Sequence, residues 1–361
     1  MADLQNSGLK IFQWNCNGLL AHLNELKQHL AYNYYDVLCL QETFLKPTKN
    51  FSLPGYSVVR KDREGMLKGG LLTLIKDTLN YTEIKPQGDI ECILVKIKTD
   101  NSYITVANLY ISPSSDLDTN LLASIFTTKT IIVGDLNSKN TIWGSPDTDQ
   151  RGLAIENLMD NNNFITLNNG QPTYTHHNGS RSHLDLSIVC NTLGAKCNWE
   201  VYNDTLGSDH SPTLTHINVC PLEDTDQSKK FIFSKADWES FKNNSRKLLS
   251  SDLICESNSV NQNTEILTNA ITEAAERSIP QGGKNKINRL KPLPYWNQNC
   301  KIAVQDRNKA RYAMNKNKTS DNCIKYRKLK GKAQYVIKST AREYWQEYCS
   351  TLDKSTKLGT V

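Results

Sequence analysis

The 361-residue chain contains no run of roughly 18 or more apolar residues, so no membrane-spanning helix is expected. Its first residues, MADLQNSGLK, lack a basic segment followed by an apolar one, and no secretory signal is expected there. Ten cysteines are present but no Cys-x-x-Cys pair, so the usual zinc-site spacing is missing. Reduced thiols in an intracellular protein are the expectation. Sequons such as those at Asn80 and Asn178 then count as chance matches in an Asn-rich chain. No repeat and no low-complexity tract occurs.

The overall balance of +6 is unevenly placed. Residues 1–222 carry 17 Lys+Arg against 22 Asp+Glu, a net of −5, whereas residues 223–361 carry 26 against 15, a net of +11. A mildly acidic region is followed by a basic one, which suggests a polyanionic partner for the second.

From Leu9 to Pro221, short apolar runs alternate with helical patterns. Strands are expected at 9–14, 37–41, 70–75, 92–97, 103–110, 130–134, 184–189 and 213–219, where Val, Ile, Leu and Tyr cluster between turn residues. Helical spacing links Leu19, Leu23, Leu26 and Leu30, and again Leu153, Leu158 and Met159. The mixture predicts an α/β region with helices covering sheets. Beyond a polar linker at 223–230, helices are expected near 237–249, 263–277, 297–317 and 321–352, with a Pro/Gly-broken stretch at 280–295. The expected division is therefore 1–222 and 223–361.

Five polar clusters adjoin the ends of strand-like runs, where open α/β sheets place their sites: WNCNG (14–18), LQET (40–43), NLYISP (108–113), VGDLN (133–137) and GSDHSP (207–212). Together they supply Glu42, Asp135 and Asp209, the amides Asn15, Asn17 and Asn137, the phenol Tyr110 and the imidazole His210. Asp185, in SHLDLSIV (182–189), is a carboxylate able to hold His210 in one tautomer. Singly, each is an ordinary cap or turn residue. Jointly they suit phosphodiester hydrolysis. Glu42 offers the hard oxygen that Mg²⁺ prefers, amides and phenol donate to phosphoryl oxygens, and Asp135 with Asn137 can align or deprotonate a water. The His176–His177 pair has no spaced partner and is expected to lie in a solvated loop.

The series WNCNGL, LQETF, NLYISP, IIVGDLN, SHLDLSIV and GSDHSP resembles the exonuclease–endonuclease–phosphatase superfamily, which includes deoxyribonuclease-I-like nucleases, over about residues 1–222. The resemblance implies a four-layered α/β sandwich, two packed β-sheets flanked by helices, here followed by a basic, mostly helical extension. It implies metal binding by Glu42, Asn17 and Asp209, and catalytic duties for Asn15, Tyr110, Asp135, Asn137, Asp185 and His210. Mg²⁺ is the implied cofactor, with Mn²⁺ as a substitute.

Within the superfamily the chain is most similar to jockey-type non-LTR retrotransposon endonucleases. Asn17 replaces the Asp usual in repair enzymes, and 142–189 looks like the spacer of that group. KPLPYWNQNCK (291–301) and AREYWQEYCSTL (341–352) resemble the segment that joins endonuclease to reverse transcriptase. No YADD-like or YVDD-like polymerase motif occurs, so a truncated copy or a fragment is expected. The implied activity is nicking of double-stranded DNA, leaving a 3′-hydroxyl, with action in the nucleus. An abasic-site repair endonuclease, a relic that only binds nucleic acid, and a lipid or small-molecule phosphoesterase are the rival assignments.

Residues 284–361 hold 19 Lys+Arg against 5 Asp+Glu, with Tyr312, Tyr326, Tyr335, Tyr344 and Trp345 interleaved. Nucleic-acid contact, with DNA or with element RNA, is expected there; the alternatives are a solvated helical face for the cations and packing of one helix on the other for the aromatics. Removal of 223–361 is expected to weaken DNA binding and spare the chemistry.

Overall fold

Alternation along the strands decides which side chains meet between the sheets. In β1 (Leu9–Asn15), Leu9 and Ile11 join one apolar cluster while Phe12 and Trp14 join another. In β2 (Val37–Gln41), Val37 and Cys39 take the first side and Leu38 and Leu40 the second. Successive side chains point to opposite faces, so Gln13, Asn15 and Gln41 fall on the same face as Leu9, Ile11, Val37 and Cys39. That face is the interior between two sheets. The strands therefore carry apolar residues along most of the interface and polar ones at its end.

The computed structural model describes residues 8–63, 68–100, 102–223, 231–249, 259–280 and 290–352. One six-stranded sheet runs β13 (Cys197–Val201), β14 (Thr213–Ile217), β1, β2, β4 (Leu71–Lys76), β3 (Tyr56–Lys61). The other runs β5 (Tyr81–Ile84), β6 (Cys92–Thr99), β7 (Ser102–Tyr110), β8 (Thr130–Asp135), β12 (Asp185–Cys190), β9 (Phe164–Thr166). Both are mixed: β1–β2 and β7–β8 are parallel, the other pairs antiparallel. A two-stranded hairpin, β10 (Tyr174–Thr175) and β11 (Arg181–Ser182), stands apart.

The outer face of the first sheet is covered by α1 (Leu19–Leu30), whose Leu19, Leu26 and Leu30 pack on Phe12, Trp14, Leu38, Leu40, Leu72 and Leu74. The second sheet is covered by α3 (Gln150–Asn162), which buries Ile155, Leu158 and Met159 and is capped by Asp149 on Gly152 N at 2.6 Å. Two short helices, α2 (Thr119–Ala123) and α4 (Asn191–Gly194), lie with it. The result is the four-layered sandwich: helix, sheet, sheet, helix. Burying each Leu or Ile of this interior is worth about 1.5–3 kcal/mol.

The chain divides into two compact units, Met1–Glu223 with Arg289–Val361, and Asp224–Asn288. The second holds α5 (Trp238–Leu248) and α6 (Val260–Ser278), tied by Asn244 Nδ2 donating to Ser278 Oγ at 2.8 Å. In the first, α7 (Gln298–Lys316) and α8 (Ser320–Ser350) form a helical hairpin packed against the sandwich. The polar linker at 224–230 and the stretch 281–289 lie outside the described residues. Among those described, no helix is long and apolar enough to cross a membrane.

Candidate active site

Register brings the site residues together. Parallel pairing sets Asn15 beside Gln41, so Glu42 follows at the same sheet end. In the other sheet Tyr110 pairs with Asp135, and Asp135 with Asp185. Gly134 permits this approach, since a Cβ there would lie 1.8 Å from the Leu109 carbonyl oxygen. The loops leaving these strands bend sharply. Asn17, Glu42 and Asn137 all have positive φ, at 43°, 50° and 45°. For a glutamate that conformation is strained, at roughly 1–3 kcal/mol, and it is retained only where the surroundings enforce it. The surroundings do so here: Glu42 O accepts from Gly18 N at 2.8 Å, and Thr43 N donates to Gly70 O at 3.1 Å.

Hydrogen bonds and one longer ion-pair contact draw the side chains together. Glu42 Oε1 accepts from Tyr110 Oη at 2.9 Å and Asn15 Nδ2 at 3.2 Å. Asn15 Nδ2 also reaches Asp135 Oδ2 at 2.8 Å. His210 Nδ1 lies 2.7 Å from Asp185 Oδ2, and its Nε2 is 3.9 Å from Asp135 Oδ2. Asn17 Nδ2 donates to both Asp209 oxygens at 3.1 and 3.2 Å. Asn137 is held by its own N–H on Asp135 Oδ1 at 3.1 Å and by Nδ2 on Ile111 O at 3.1 Å. All nine residues singled out from the sequence thus lie in one contiguous region.

Charge states follow from this crowding. Burial pushes Asp135 up to about 7, with Asp185 adding to the shift and His210 opposing it. For His210, burial disfavours the cation, but Asp185, Asp135 and Asp209 outweigh it and carry the pKa up to about 10. Asp209 is held below the usual carboxylate value: burial opposes this, and His210 and the Asn17 amide overcome it. The Tyr110 phenol is pushed well up by burial and by Glu42, so it stays a donor.

Two features suit a divalent cation. Glu42, Asn17 and Asp209 carry carboxylate and carboxamide oxygens, the donors a hard cation takes, and Asn17 Nδ2 bonds both Asp209 oxygens here. Among the described residues, Asp135, Asp185 and His210 also offer ligand atoms within 4.8 Å of one another. That second group is already satisfied internally by the short His210–Asp185 bond. Glu42 is half-buried, its Oε1 accepting from Tyr110 and Asn15.

Several contributors were not singled out from the sequence. Gln13 Nε2 donates to Asp185 Oδ1 at 2.8 Å and Gln41 Oε1 at 2.9 Å; Gln41 Nε2 donates to Asn108 Oδ1 at 2.7 Å. These buried amides floor the site. Their signal was a polar residue on the inward phase of an apolar strand. Arg151 clamps two loops, from Nη1 to Asn137 O at 3.0 Å and from Nη2 to Ser115 O at 2.7 Å. Arg63 lies 5.5 Å over the Tyr110 ring, beside a groove of about 720 Å³ bordered by Glu91, Ser112 and Asp116. His176 packs on Tyr174, 4.5 Å between ring centres, and Tyr174 in turn lies 4.6 Å from His210.

The family model described as endonuclease-reverse transcriptase matches residues 104–214. The chain is 27% identical over 294 residues to the RNA-directed DNA polymerase from mobile element jockey of Drosophila melanogaster, a match covering 79% of this chain and 32% of that protein. It is 27% identical over 277 residues to the probable RNA-directed DNA polymerase from transposon X-element of the same organism, covering 74% and 30%. The chain thus spans about a third of the length of these relatives. Among solved structures, the endonuclease domain of TRAS1, a telomere-specific non-LTR retrotransposon, aligns with a TM-score of 0.51 at 21% identity, over 58% of this chain and 98% of that one. The superfamily fold and the likeness to jockey-type elements expected from the motifs are both found.

Proposed function

We propose, with the exonuclease–endonuclease–phosphatase fold and the endonuclease-reverse transcriptase match as the premise, that this chain is a metal-dependent DNA endonuclease of a non-LTR retrotransposon. The observation that carries the proposal is the convergence of Glu42, Asp135, Asp185 and His210, from four separate segments, at one end of both sheets, two hydrogen-bonded groups meeting where His210 Nε2 lies 3.9 Å from Asp135 Oδ2.

In this account Glu42, Asn17 and Asp209 hold Mg²⁺ or Mn²⁺, which when bound neutralises phosphate charge and stabilises the leaving oxygen. Asn15 and Tyr110 fix the Glu42 carboxylate through Oε1. Asp135 takes a proton from a water that Asn137 helps to orient. His210, kept protonated by its three carboxylates, donates a hydrogen bond to a non-bridging phosphoryl oxygen as charge develops there. Asp185 orients the imidazole and Gln13 orients Asp185. Water attacks phosphorus and the bond to the 3′-oxygen breaks; the departing oxygen takes a proton from solvent, giving a 3′-hydroxyl and a 5′-phosphate. In an element of this kind the 3′-hydroxyl would prime reverse transcription on nuclear DNA.

The test is incubation of the purified full chain with supercoiled plasmid. Open circles should form with Mg²⁺ and not with chelator, and DNA polymerase should extend the nicks without prior end repair. A plasmid that stays supercoiled with both Mg²⁺ and Mn²⁺ refutes the proposal.

A further inference from the structure

Between residues 322 and 342, α8 carries Lys325, Arg327, Lys328, Lys330, Lys332, Lys338 and Arg342 and no Asp or Glu. Its contacts orient it. Cys323, Ala333 and Ile337 are buried. Cys323 Sγ lies 3.6 Å from Asn178 O, and Arg327 Nη2 donates to His177 O at 2.9 Å. The start of α8 therefore touches the turn of the β10–β11 hairpin, whose Thr175 N donates to Asp209 O at 3.0 Å.

Positions 327, 331, 334, 338, 342 and 345 recur at helical spacing and so share one face. Arg327, Lys338, Arg342 and Trp345 on it are exposed. Gly331 sits among them in mid-helix, and a Cβ there would meet nothing within 4 Å. Packing does not require that glycine, which weakens a helix by roughly 0.5–1 kcal/mol relative to Ala. It leaves the helix backbone open between the cations.

The hairpin is locked to the site. Arg307 of α7 is 1% exposed; its Nη1 lies 2.8 Å from both Glu25 oxygens and its Nη2 2.9 Å from Asp204 Oδ1. Arg311 donates to Ser211 Oγ at 3.2 Å and to Asn203 O. Both arginines thus grip the segment 203–211 that carries Asp209 and His210.

We propose that the exposed flank of α8 formed by Arg327, Lys338 and Arg342 is a phosphate-binding rail for the duplex DNA that enters the site. The inference rests on the endonuclease assignment and extends it: the rail grips backbone to one side of the scissile phosphate, at a fixed distance set by the Arg307 and Arg311 anchors. Charge complementarity selects the occupant, since the sandwich region has a net charge of −5 and cannot attract a polyanion by net charge.

The test measures binding without cleavage. Full-length chain carrying Arg327→Gln, Lys338→Gln and Arg342→Gln is compared with wild type by fluorescence anisotropy on a labelled duplex, without divalent metal, across a salt series. The control carries Lys98→Gln, Lys129→Gln and Lys196→Gln, exposed lysines at the sheet ends opposite the site. The log–log salt slope should flatten by about 2–3 in the rail variant, at about 0.9 for each phosphate no longer neutralised, and stay unchanged in the control. Equal slopes in all three proteins, or equal flattening in both variants, overturn the rail. So does a larger loss on an RNA hairpin than on the duplex. Because no cleavage is read, a chain that never nicks but shows the slope difference defeats the endonuclease assignment while keeping the rail.

Discussion

Asp185 accepts from Gln13 on one oxygen and faces His210 Nδ1 on the other, so it touches the imidazole without facing substrate. His210→Ala and Asp135→Ala should each lower kcat/KM by at least ~10²-fold, the scale of a positioned acid or base. Asp185→Asn should cost less, because it orients an imidazole that the site still contains. Equal losses for Asp185→Asn and His210→Ala in nicking kinetics would show that Asp185 does more than orient. The two shifted groups also fix a pH profile. Asp135 must lose its proton, so the rate should rise as pH climbs through about 7; His210 must keep its proton, so the rate should fall as pH passes about 10. A kcat/KM profile flat from pH 6 to 8 would contradict the role given to Asp135. The nine candidate residues were legible because Asn15, Asn17, Glu42, Tyr110, Asp135 and Asn137 stand at or just past the end of an apolar run and Asp185, Asp209 and His210 at or just before the start of one, where strand ends fix geometry. Gln13, Gln41 and Asn108 were not, because a lone amide inside an apolar run reads as strand and only the phase of the alternation reveals that it points inward.

Arg307 shows what helical periodicity leaves out. The four C-terminal helices fall close to their expected spans, yet nothing in a Lys/Arg-rich pattern distinguishes a cation facing water from one buried against Glu25. That pairing depends on where α1 and the segment 203–211 meet α7. Arg307→Leu strands Glu25, itself 6% exposed, and should cost about 3–5 kcal/mol, whereas the Glu25→Leu/Arg307→Leu pair should recover much of the loss. Urea midpoints at constant slope would measure it, and a single-variant cost under about 1 kcal/mol would show the pair contributes little. The same interactions revise the expectation that 223–361 can be removed without touching the chemistry, because α7 supports the segment bearing Asp209 and His210. Among strands, β1, β2, β4, β6, β7, β8, β12 and β14 were legible from their apolar content. The short β9, β10 and β11, the half-exposed β13 and β5, and the edge strand β3 were not, since each is defined by its partner more than by its own pattern.

The chain as a whole pairs an acidic sandwich holding the reacting groups with a basic hairpin beside them. An enzyme of an inserting element must open undamaged DNA, so intact duplex should be nicked, with preference for flexible steps rather than a strict base code. A strong preference for abasic over intact duplex at equal salt, in a competition assay, would point to repair instead. The fold and the uneven charge were both legible from sequence, but their spatial relation was not, because it is made by a few long-range interactions. The proposed function depends on Glu42 anchoring the metal at the strand ends. The most direct measurement is plasmid nicking by full-length Glu42→Ala across a Mg²⁺ titration, with its thermal unfolding recorded beside wild type. An intact fold with no Mg²⁺-dependent nicking at any concentration is expected; wild-type nicking by a folded Glu42→Ala protein would remove Glu42 from the metal site.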